Sequence, residues 1–542
     1  MDIITKERER MKIKGFMIKK GIQCLKDYGV RELLVRVIER KKRQEIPYDA
    51  WYQTQKIDVK EWERQRLESA GWENRPVVSI CVPLYKTPEK FLCEMIDSVC
   101  NQTYENWQLC LADGSPGVEL QDVIKKHYPT EKRICYQHLD ANLGIADNTN
   151  AAFALAEGEW IGLLDHDDIL APEALYESMK AVQKENAEAV YSDEDKITED
   201  LVRHFDPHFK PDYNIDLLRS NNYITHFFVV RREIVEQVGG FCKEFDGSQD
   251  YDFILRCTTK AKKTAHVPRI LYHWRTSENS TAENPASKMY AFEAGKRAIE
   301  THLQKEGIAA EVLYTKGLGF YRVKYELNPA SGLSIVSVED ENVKTVSKQI
   351  AAEKGEYILL LRQGVDKPTD EDIKELLSHC QQDGVAAIGP KLINKKKKIY
   401  SAGRIFDGSN IIKDVYVGLP SHYYGYMHRA STQIGYSVLN GACVLIKKEA
   451  YEAVGGIDTA YKTVEYALAD LFLRFVEAGY RNVYTPYVEI VVQDKDLSYK
   501  SSEVEADKKR LGQLHIQLQN PDPNYNKNLS IEKADYTLNV SQ

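Results

Sequence analysis

The stretch Gly158-Glu159-Trp160-Ile161-Gly162-Leu163-Leu164-Asp165-His166-Asp167-Asp168-Ile169-Leu170 constrains this chain more than any other. Its short apolar run, Trp160 to Leu164, reads as a buried strand. The run stops abruptly at Asp165, Asp167 and Asp168. In open α/β sheets, groups at the carboxyl ends of strands face the crevice where ligands bind. Carboxylates this close repel one another and favour a cation between them. Oxygen ligands suit a hard divalent ion such as Mn²⁺ or Mg²⁺, which usually also holds phosphates. A turn leading into a helix N-cap uses Asp in the same way. The run alone therefore leaves both readings open.

The residues before it supply a frame. Val77 to Val82 is an apolar strand ended by Pro83-Leu84-Tyr85-Lys86. Thr87-Pro88 is suited to open a helix, as N-cap and first-turn proline. Phe91, Leu92, Met95, Ile96 and Val99 give that helix an apolar face. Trp107 to Ala112 is the next strand, stopped by Asp113-Gly114-Ser115, and Asn142-Leu143-Gly144 precedes a second helix. Strand and helix in alternation predict a parallel, doubly wound sheet. Pro83, Tyr85, Asp113 and Asp165 then fall at carboxyl ends of strands. There Asp113 can accept the imide N–H of a pyrimidine and Tyr85 can stack on the ring; equally, Asp113-Gly114-Ser115 is an ordinary turn.

At 542 residues the chain is too long for one core, and two or three domains are expected. A net charge of −8 gives no general case for nucleic acid. Ten scattered cysteines without a CxxC pair fit reduced thiols rather than a zinc or disulfide framework. No apolar run approaches the roughly 18–20 residues of a membrane span. The N-terminus has no uninterrupted apolar core of the kind a secretory signal needs. Residues 1–44 differ from the rest, with 14 Lys/Arg against 6 Asp/Glu. Val30, Leu33, Leu34, Val37 and Ile38 follow helical spacing and Arg40-Lys41-Lys42-Arg43 follows them. Such a basic amphipathic arm (1–45) suits either an anionic inner leaflet or packing on its own domain. A cytoplasmic chain, peripheral on the inner face of the plasma membrane, is the corresponding expectation. Trp51, Trp62 and Trp72 mark a helical linker over 46–76.

Taken in order, several motifs resemble the inverting glycosyltransferases of family two. They begin with Val78 to Tyr85, Gln102-Thr103-Tyr104, Ala112 to Ser115, Asn142-x-Gly144, Gly158-Glu159 and Asp165-His166-Asp167-Asp168. They continue through Tyr191 to Lys196, His208 to Asp212 and Asn222 to His226. Gly239-Gly240-Phe241, Gly247 to Asp252 and Leu271-Tyr272-His273-Trp274-Arg275 complete the set. The resemblance covers about 77–305 and is closest to the branch that builds bacterial surface polysaccharides. It implies a GT-A fold, a mostly parallel, Rossmann-like α/β sheet with flanking helices, over 77–324. It also implies a nucleotide-diphospho-sugar donor, with Pro83, Tyr85 and Asp113 at the base, Asp165 at the ribose or metal, and Asp167 and His273 on a Mn²⁺ or Mg²⁺ ion. Asp250 matches the catalytic base. Arg275 would face the diphosphate and Trp274 the acceptor sugar. Lys210, His226 and Gln249 lie in matching motifs. Lys86 replaces a usual Asn, and a single Asp113 stands where two acidic residues are common. Without the resemblance, Asp250 also reads as a helix N-terminal carboxylate, and His273 as a hydrogen-bonded core histidine.

A weaker internal repeat follows. Gly355-Glu356-Tyr357-Ile358-Leu359-Leu360-Leu361 repeats Gly158 to Leu164, Gly455-Gly456-Ile457 repeats Gly239 to Phe241, and Asp470 to Arg474 repeats Asp252 to Arg256. The chemistry does not repeat. Arg362-Gln363-Gly364 replaces Asp165-His166-Asp167, and Leu468 falls where Asp250 would be. Residues 325–515 are therefore expected to form a second, truncated, GT-A-like α/β domain without catalysis, which scaffolds, dimerises or binds polymer. Tyr423, Tyr424 and Tyr426 suit a sugar platform or packing. Residues 516–542 read as a loosely ordered polar tail.

The whole predicts a metal-dependent inverting glycosyltransferase that extends a surface polysaccharide or lipid-linked glycan. A scaffold with both copies dead is the non-enzymatic alternative, against which Asp165, Asp167 and Asp250 speak. A sugar nucleotidyltransferase is a third, and Pro83-Leu84-Tyr85-Lys86 lacks the Gly-rich, basic phosphate loop such enzymes carry.

Overall fold

Every residue of Val78–Leu84 (β1) is buried, as an apolar strand with helices on both faces requires. The chain is described here by a computed structural model that covers residues 25, 30, 33, 37, 48–276, 289–328, 332–408, 411–493 and 500–540. The arm over 1–45 thus lies almost wholly outside the described residues. After β1, helix Glu89–Cys100 buries Leu92, Met95, Ile96 and Val99. Pro88 rather than Thr87 takes its N-cap, so the helix begins later than the sequence suggests. Trp107–Asp113 (β2), Ile134–His138 (β3) and Trp160–Leu163 (β4) follow. β1 runs parallel to β2 and β4, and β2 parallel to β3.

Ile169–Leu170 (β5), Ala189–Thr198 (β6), His204–His208 (β7), Phe228–Arg231 (β8) and Thr264–Thr276 (β9) complete the first sheet. Its order is β3-β2-β1-β4-β8-β6-β9-β5, with β7 on β6. β8 is antiparallel to both β4 and β6, while β6 and β9 are parallel. Helices Tyr48–Gln55 (α1) and Val59–Ala70 (α2) lead into β1. Trp51 of α1 meets Phe209 edge-on at 5.6 Å, and Trp72 stacks on Tyr176 at 5.3 Å.

The hairpin of Ala310–Tyr314 (β10) and Tyr321–Tyr325 (β11) leads to a second sheet. Leu333–Val338 (β12), Tyr357–Arg362 (β13), Val385–Asn394 (β14), Ile399–Ser401 (β15), Arg404–Phe406 (β16), Ile412–Asp414 (β17), Ile434–Tyr436 (β18), Cys443–Lys447 (β19) and Arg481–Val492 (β20) follow in sequence. The sheet order is β12-β13-β19-β14-β20-β18, with β15 on β14; β16 and β17 pair separately. β12 is parallel to β13, β13 antiparallel to β19, β19 antiparallel to β14, and β14 parallel to β20. That is the succession β1-β4-β8-β6-β9 of the first sheet, with the same directions. Only one helix, Val343–Ala352, separates β12 from β13, so no strands correspond to β2 and β3.

Side chains repeat as well. The Gly158 N–H donates to Ser79 Oγ at 2.9 Å and the Gly355 N–H to Ser334 Oγ at 3.1 Å. A Cβ at Gly158 would lie 2.5 Å from the Val77 carbonyl oxygen, and one at Gly355 2.7 Å from Ser334 N, so both positions exclude larger residues. Arg256 joins Asp252 to the carbonyls of Val238, Gly239 and Gly240; Arg474 joins Asp470 to those of Val454 and Gly456.

The expected loose tail is corrected. Tyr525, Leu529, Ala534 and Tyr536 are buried. Asn526 Nδ2 donates to Asp193 Oδ2 at 2.8 Å and to the Lys210 carbonyl at 2.9 Å. The segment wedges against both domains, so a few apolar anchors outweigh its polar average. Tyr426 is packing too: its hydroxyl donates to the Pro207 carbonyl and accepts from the Phe209 N–H. Among the described residues no helix is long and apolar enough to cross a membrane.

Candidate donor and acceptor site

The rim above β1, β2 and β4 gathers most of the predicted residues. Leu84 pairs with Asp113 across β1 and β2, which sets Tyr85 just beyond the strand end, 41% exposed. Asp113 is buried. Its Oδ1 accepts from the Ser115 N–H at 2.8 Å and its Oδ2 from the Tyr136 hydroxyl at 2.7 Å. Ser115 Oγ in turn accepts from the Lys86 N–H at 2.8 Å. These bonds tie the ends of β1 and β2 into one wall, with Pro83 in β1 behind it.

β4 ends at Leu163, and the chain turns through the acidic run: the Asp168 N–H donates to the Asp165 carbonyl at 3.3 Å. Asp165 has half its side chain, 52%, in solvent. Burial lifts the Asp167 carboxyl, and the Asp165 charge lifts it further. Asp168 is fully buried and raised well above the usual carboxylate range by burial and by both neighbouring carboxylates. It accepts from the Tyr272 hydroxyl at 2.5 Å and the Arg275 N–H at 2.7 Å. Asp168 therefore braces the turn, while Asp165 and Asp167 remain at the rim. Two neighbouring carboxylates at one rim are a ligand set that fits a hard divalent cation.

Asp250 begins helix Gln249–Lys260, and its Oδ2 accepts from Asn222 Nδ2 at 2.8 Å. Burial raises its carboxyl, His226 opposes the rise and Asp165 adds to it. Asp165, His226 and Asp250 thus lie within electrostatic reach of one another. His226 Nδ1 lies 3.1 Å from Glu194 Oε2, and its ring stacks on Tyr272 at 4.5 Å. Burial works against its charge, but Glu194, with Asp165 and Asp168, lifts the imidazole to about 9. Glu194 itself is held well below the usual range: burial opposes this, and Lys210, His208 and His226 outweigh it.

Three predicted contacts are not there. Arg275 is buried: its Nε donates to the Asp167 carbonyl at 2.6 Å, and its guanidinium also meets Glu94 and the Glu199 carbonyl. It holds the acidic turn by its backbone rather than facing a diphosphate. The His273 side chain leaves the rim: Nδ1 lies 2.6 Å from Asp195 Oδ1 and Nε2 2.8 Å from the Tyr52 hydroxyl. Along β9, alternation sends Tyr272 toward the acidic turn and His273 to the opposite face. Lys210 is buried, its ammonium tied to Glu194 and to the carbonyls of Ile224 and His226. It supports the 222–226 loop from behind. Trp274 is partly exposed, with Lys196 Nζ 5.3 Å from its ring centre. Gln249 Oε1 accepts from the Gly247 N–H at 2.8 Å, fixing the turn before Asp250. Glu194 and Asn222, which position His226 and Asp250, sit in quoted motifs but have no sequence-level role, because their partners are distant in the chain.

At the second domain's corresponding rim, Arg362 is buried, with Glu341 at 2.7 Å and Glu465 at 2.9 Å. An internal cation occupies the place that the first domain leaves to carboxylates.

Residues 79–239 match the family model of glycosyl transferase family 2. Over most of its length the chain is 30% identical to an uncharacterized protein of Sinorhizobium fredii, y4gI, covering 90% of this chain and 62% of that one. It is 27% identical to the O-antigen biosynthesis protein RfbC of Myxococcus xanthus, over 86% of this chain and 41% of that one. It is also 26% identical to a chondroitin synthase of Escherichia coli, over 40% of this chain and 32% of the synthase. The chain thus spans less than two thirds of the length of these relatives.

Proposed function

We propose that residues 77–324 transfer a sugar, with inversion, from a nucleotide-diphospho-sugar to a hydroxyl of a growing surface polysaccharide or lipid-linked glycan. The carrying observation is the convergence of Asp165, His226 and Asp250 within electrostatic reach of one another, with Asn222 Nδ2 2.8 Å from Asp250 Oδ2. A carboxylate so placed takes the acceptor hydroxyl's proton as the oxygen attacks the anomeric carbon. The bond to the diphosphate breaks on the opposite face, and the nucleoside diphosphate leaves. Tyr85 and the Asp113 wall hold the base, and Asp165 and Asp167 hold Mn²⁺ or Mg²⁺. A divalent ion held by Asp165 and Asp167 would supply neutralisation of the charge on the leaving diphosphate. Asn222 aims the Asp250 carboxylate, and His226 sets the electrostatic balance between Asp165 and Asp250. The relatives named for O-antigen biosynthesis and chondroitin synthesis support a polysaccharide product.

The second domain, on this reading, is a duplicated copy that lost β2 and β3, and with them the base wall. Arg362 repels the ion the first copy binds, so the second domain scaffolds or holds glycan. The test is to incubate the full chain with a panel of nucleotide sugars, Mn²⁺ and oligosaccharide acceptors. Release of a nucleoside diphosphate supports the reading. Neither release nor nucleotide binding with any sugar would sink it.

A further inference from the structure

A second convergence of ligating groups lies on the opposite face of β6 and β9, beneath α1. Glu194 points to His226, and its neighbour Asp195 points to the other face of the sheet, as strand alternation requires. The Asp195 side chain is completely buried. His273 Nδ1 lies 2.6 Å from its Oδ1, and His204 Nδ1 lies 3.0 Å from its Oδ2. One ligand atom from each of the three residues falls within 4.8 Å of the others.

We propose that Asp195, His204 and His273 form a Zn²⁺ site that fastens α1 to the catalytic domain. Two imidazoles and one carboxylate are a nitrogen-rich set, which suits Zn²⁺ better than the oxygen-seeking Mn²⁺ or Mg²⁺ of the donor rim. With Zn–N and Zn–O near about 2.0–2.2 Å, neighbouring ligand atoms stand roughly 3.3–3.5 Å apart. The His204–Asp195 separation of 3.0 Å would open by roughly 0.3–0.5 Å, and the His273–Asp195 separation of 2.6 Å by roughly 0.7–0.9 Å. The outer contacts are those a zinc site uses. Tyr52 takes the far nitrogen of His273 at 2.8 Å, and Tyr48 donates to Asp195 Oδ2 at 2.7 Å. Both tyrosines belong to α1, so the ion would lock that helix in place. A cavity of about 330 Å³, lined by His204, His273, Tyr52, Lys56 and Glu173, opens onto the cluster. It supplies an entry path and room for a water as fourth ligand. The site is independent of the transfer chemistry and stands or falls without it.

The experiment strips the full chain with chelator, exchanges it into metal-free buffer and titrates it with ZnCl₂, reading heat and bound metal. One equivalent of Zn²⁺ that survives gel filtration is expected. Asp167→Asn should retain that equivalent, and Asp195→Asn or His204→Gln should lose it. Tyr52→Phe should weaken affinity about 10–100-fold. Because a variant can lose zinc by misfolding, crystals of the unaltered chain soaked in ZnCl₂ give a direct reading. An anomalous peak among Asp195, His204 and His273 supports the site. No retained zinc, or a peak only beside Asp165 and Asp167, overturns it and leaves the cluster a plain hydrogen-bonded lock.

Discussion

Nε2 of His226 lies 3.8 Å from Oδ2 of Asp165. With its proton affinity lifted to about 9, the imidazole is a cation at neutral pH, set beside the rim carboxylate and within electrostatic reach of Asp250. The acidic rim and the N-terminal end of helix Gln249–Lys260 are thereby electrostatically coupled through His226.

Asp250→Asn keeps the size and the Asn222 contact but removes the proton acceptor. Turnover should fall about 10²–10⁴-fold while donor affinity is unchanged. In the unaltered chain Asp250 acts only when ionised, and burial raises its carboxyl. Activity should therefore fade with falling pH at a point above the ordinary Asp range. The pH profile of nucleoside diphosphate release measures both; near-normal turnover in the variant would remove Asp250 from the mechanism.

Asp167→Ala deletes a carboxylate that is raised by burial and then by Asp165. Its loss should abolish the Mn²⁺-dependent part of nucleotide binding and leave the metal-independent part. Calorimetric titration of a nucleoside diphosphate with and without Mn²⁺ separates the two. Undiminished metal dependence would refute the assignment of Asp167.

The apolar runs and the carboxylates that end them were legible because strand period and charge are local properties. The parallel half of the sheet, β3-β2-β1-β4, follows from strand-helix alternation alone. What distance along the chain concealed was orientation. His273, Trp274 and Arg275 are consecutive, yet His273 meets Asp195, Trp274 meets Lys196, and Arg275 meets the Asp167 carbonyl and Glu94. In sequence Arg275 reads as free to face a diphosphate because Glu94, its partner, is 181 residues away. The tail was misjudged for the same reason: Asn526 finds Asp193 across 333 residues.

The paired glycines allow a test of the repeat at the level of packing. An added Cβ would stand 2.5 Å from the Val77 carbonyl oxygen at Gly158 and 2.7 Å from Ser334 N at Gly355. Neither neighbour is a flexible side-chain tip, so backbone must shift. Gly158→Ala and Gly355→Ala should each destabilise the domain that carries it by about 1–3 kcal/mol, as overpacking generally does. Denaturant unfolding followed by proteolysis, which reports on each domain, checks this. A neutral effect at either site would show that the two strand entries are not built alike.

His515 carries a pH prediction far from the donor rim. Its side chain is 2% exposed, with Nε2 2.9 Å from Asp470 Oδ1 and Nδ1 2.7 Å from Glu477 Oε1. Burial opposes its charge, but the hydrogen bonds to Asp470 and Glu477 win, so its pKa is raised in the folded chain. A raised histidine contributes fully below its unfolded value near 6.5, and that contribution disappears as pH climbs through the folded value. His515→Gln should therefore cost about 1.5–3 kcal/mol near pH 6, the worth of hydrogen bonds to charged partners. The gap between variant and parent should close as pH rises above 6.5. Thermal unfolding of both across pH 5.5 to 9.5 reads the difference directly. A gap that stays constant would mean that His515 is held neutral, and that Asp470 is kept ionised by Arg474 alone.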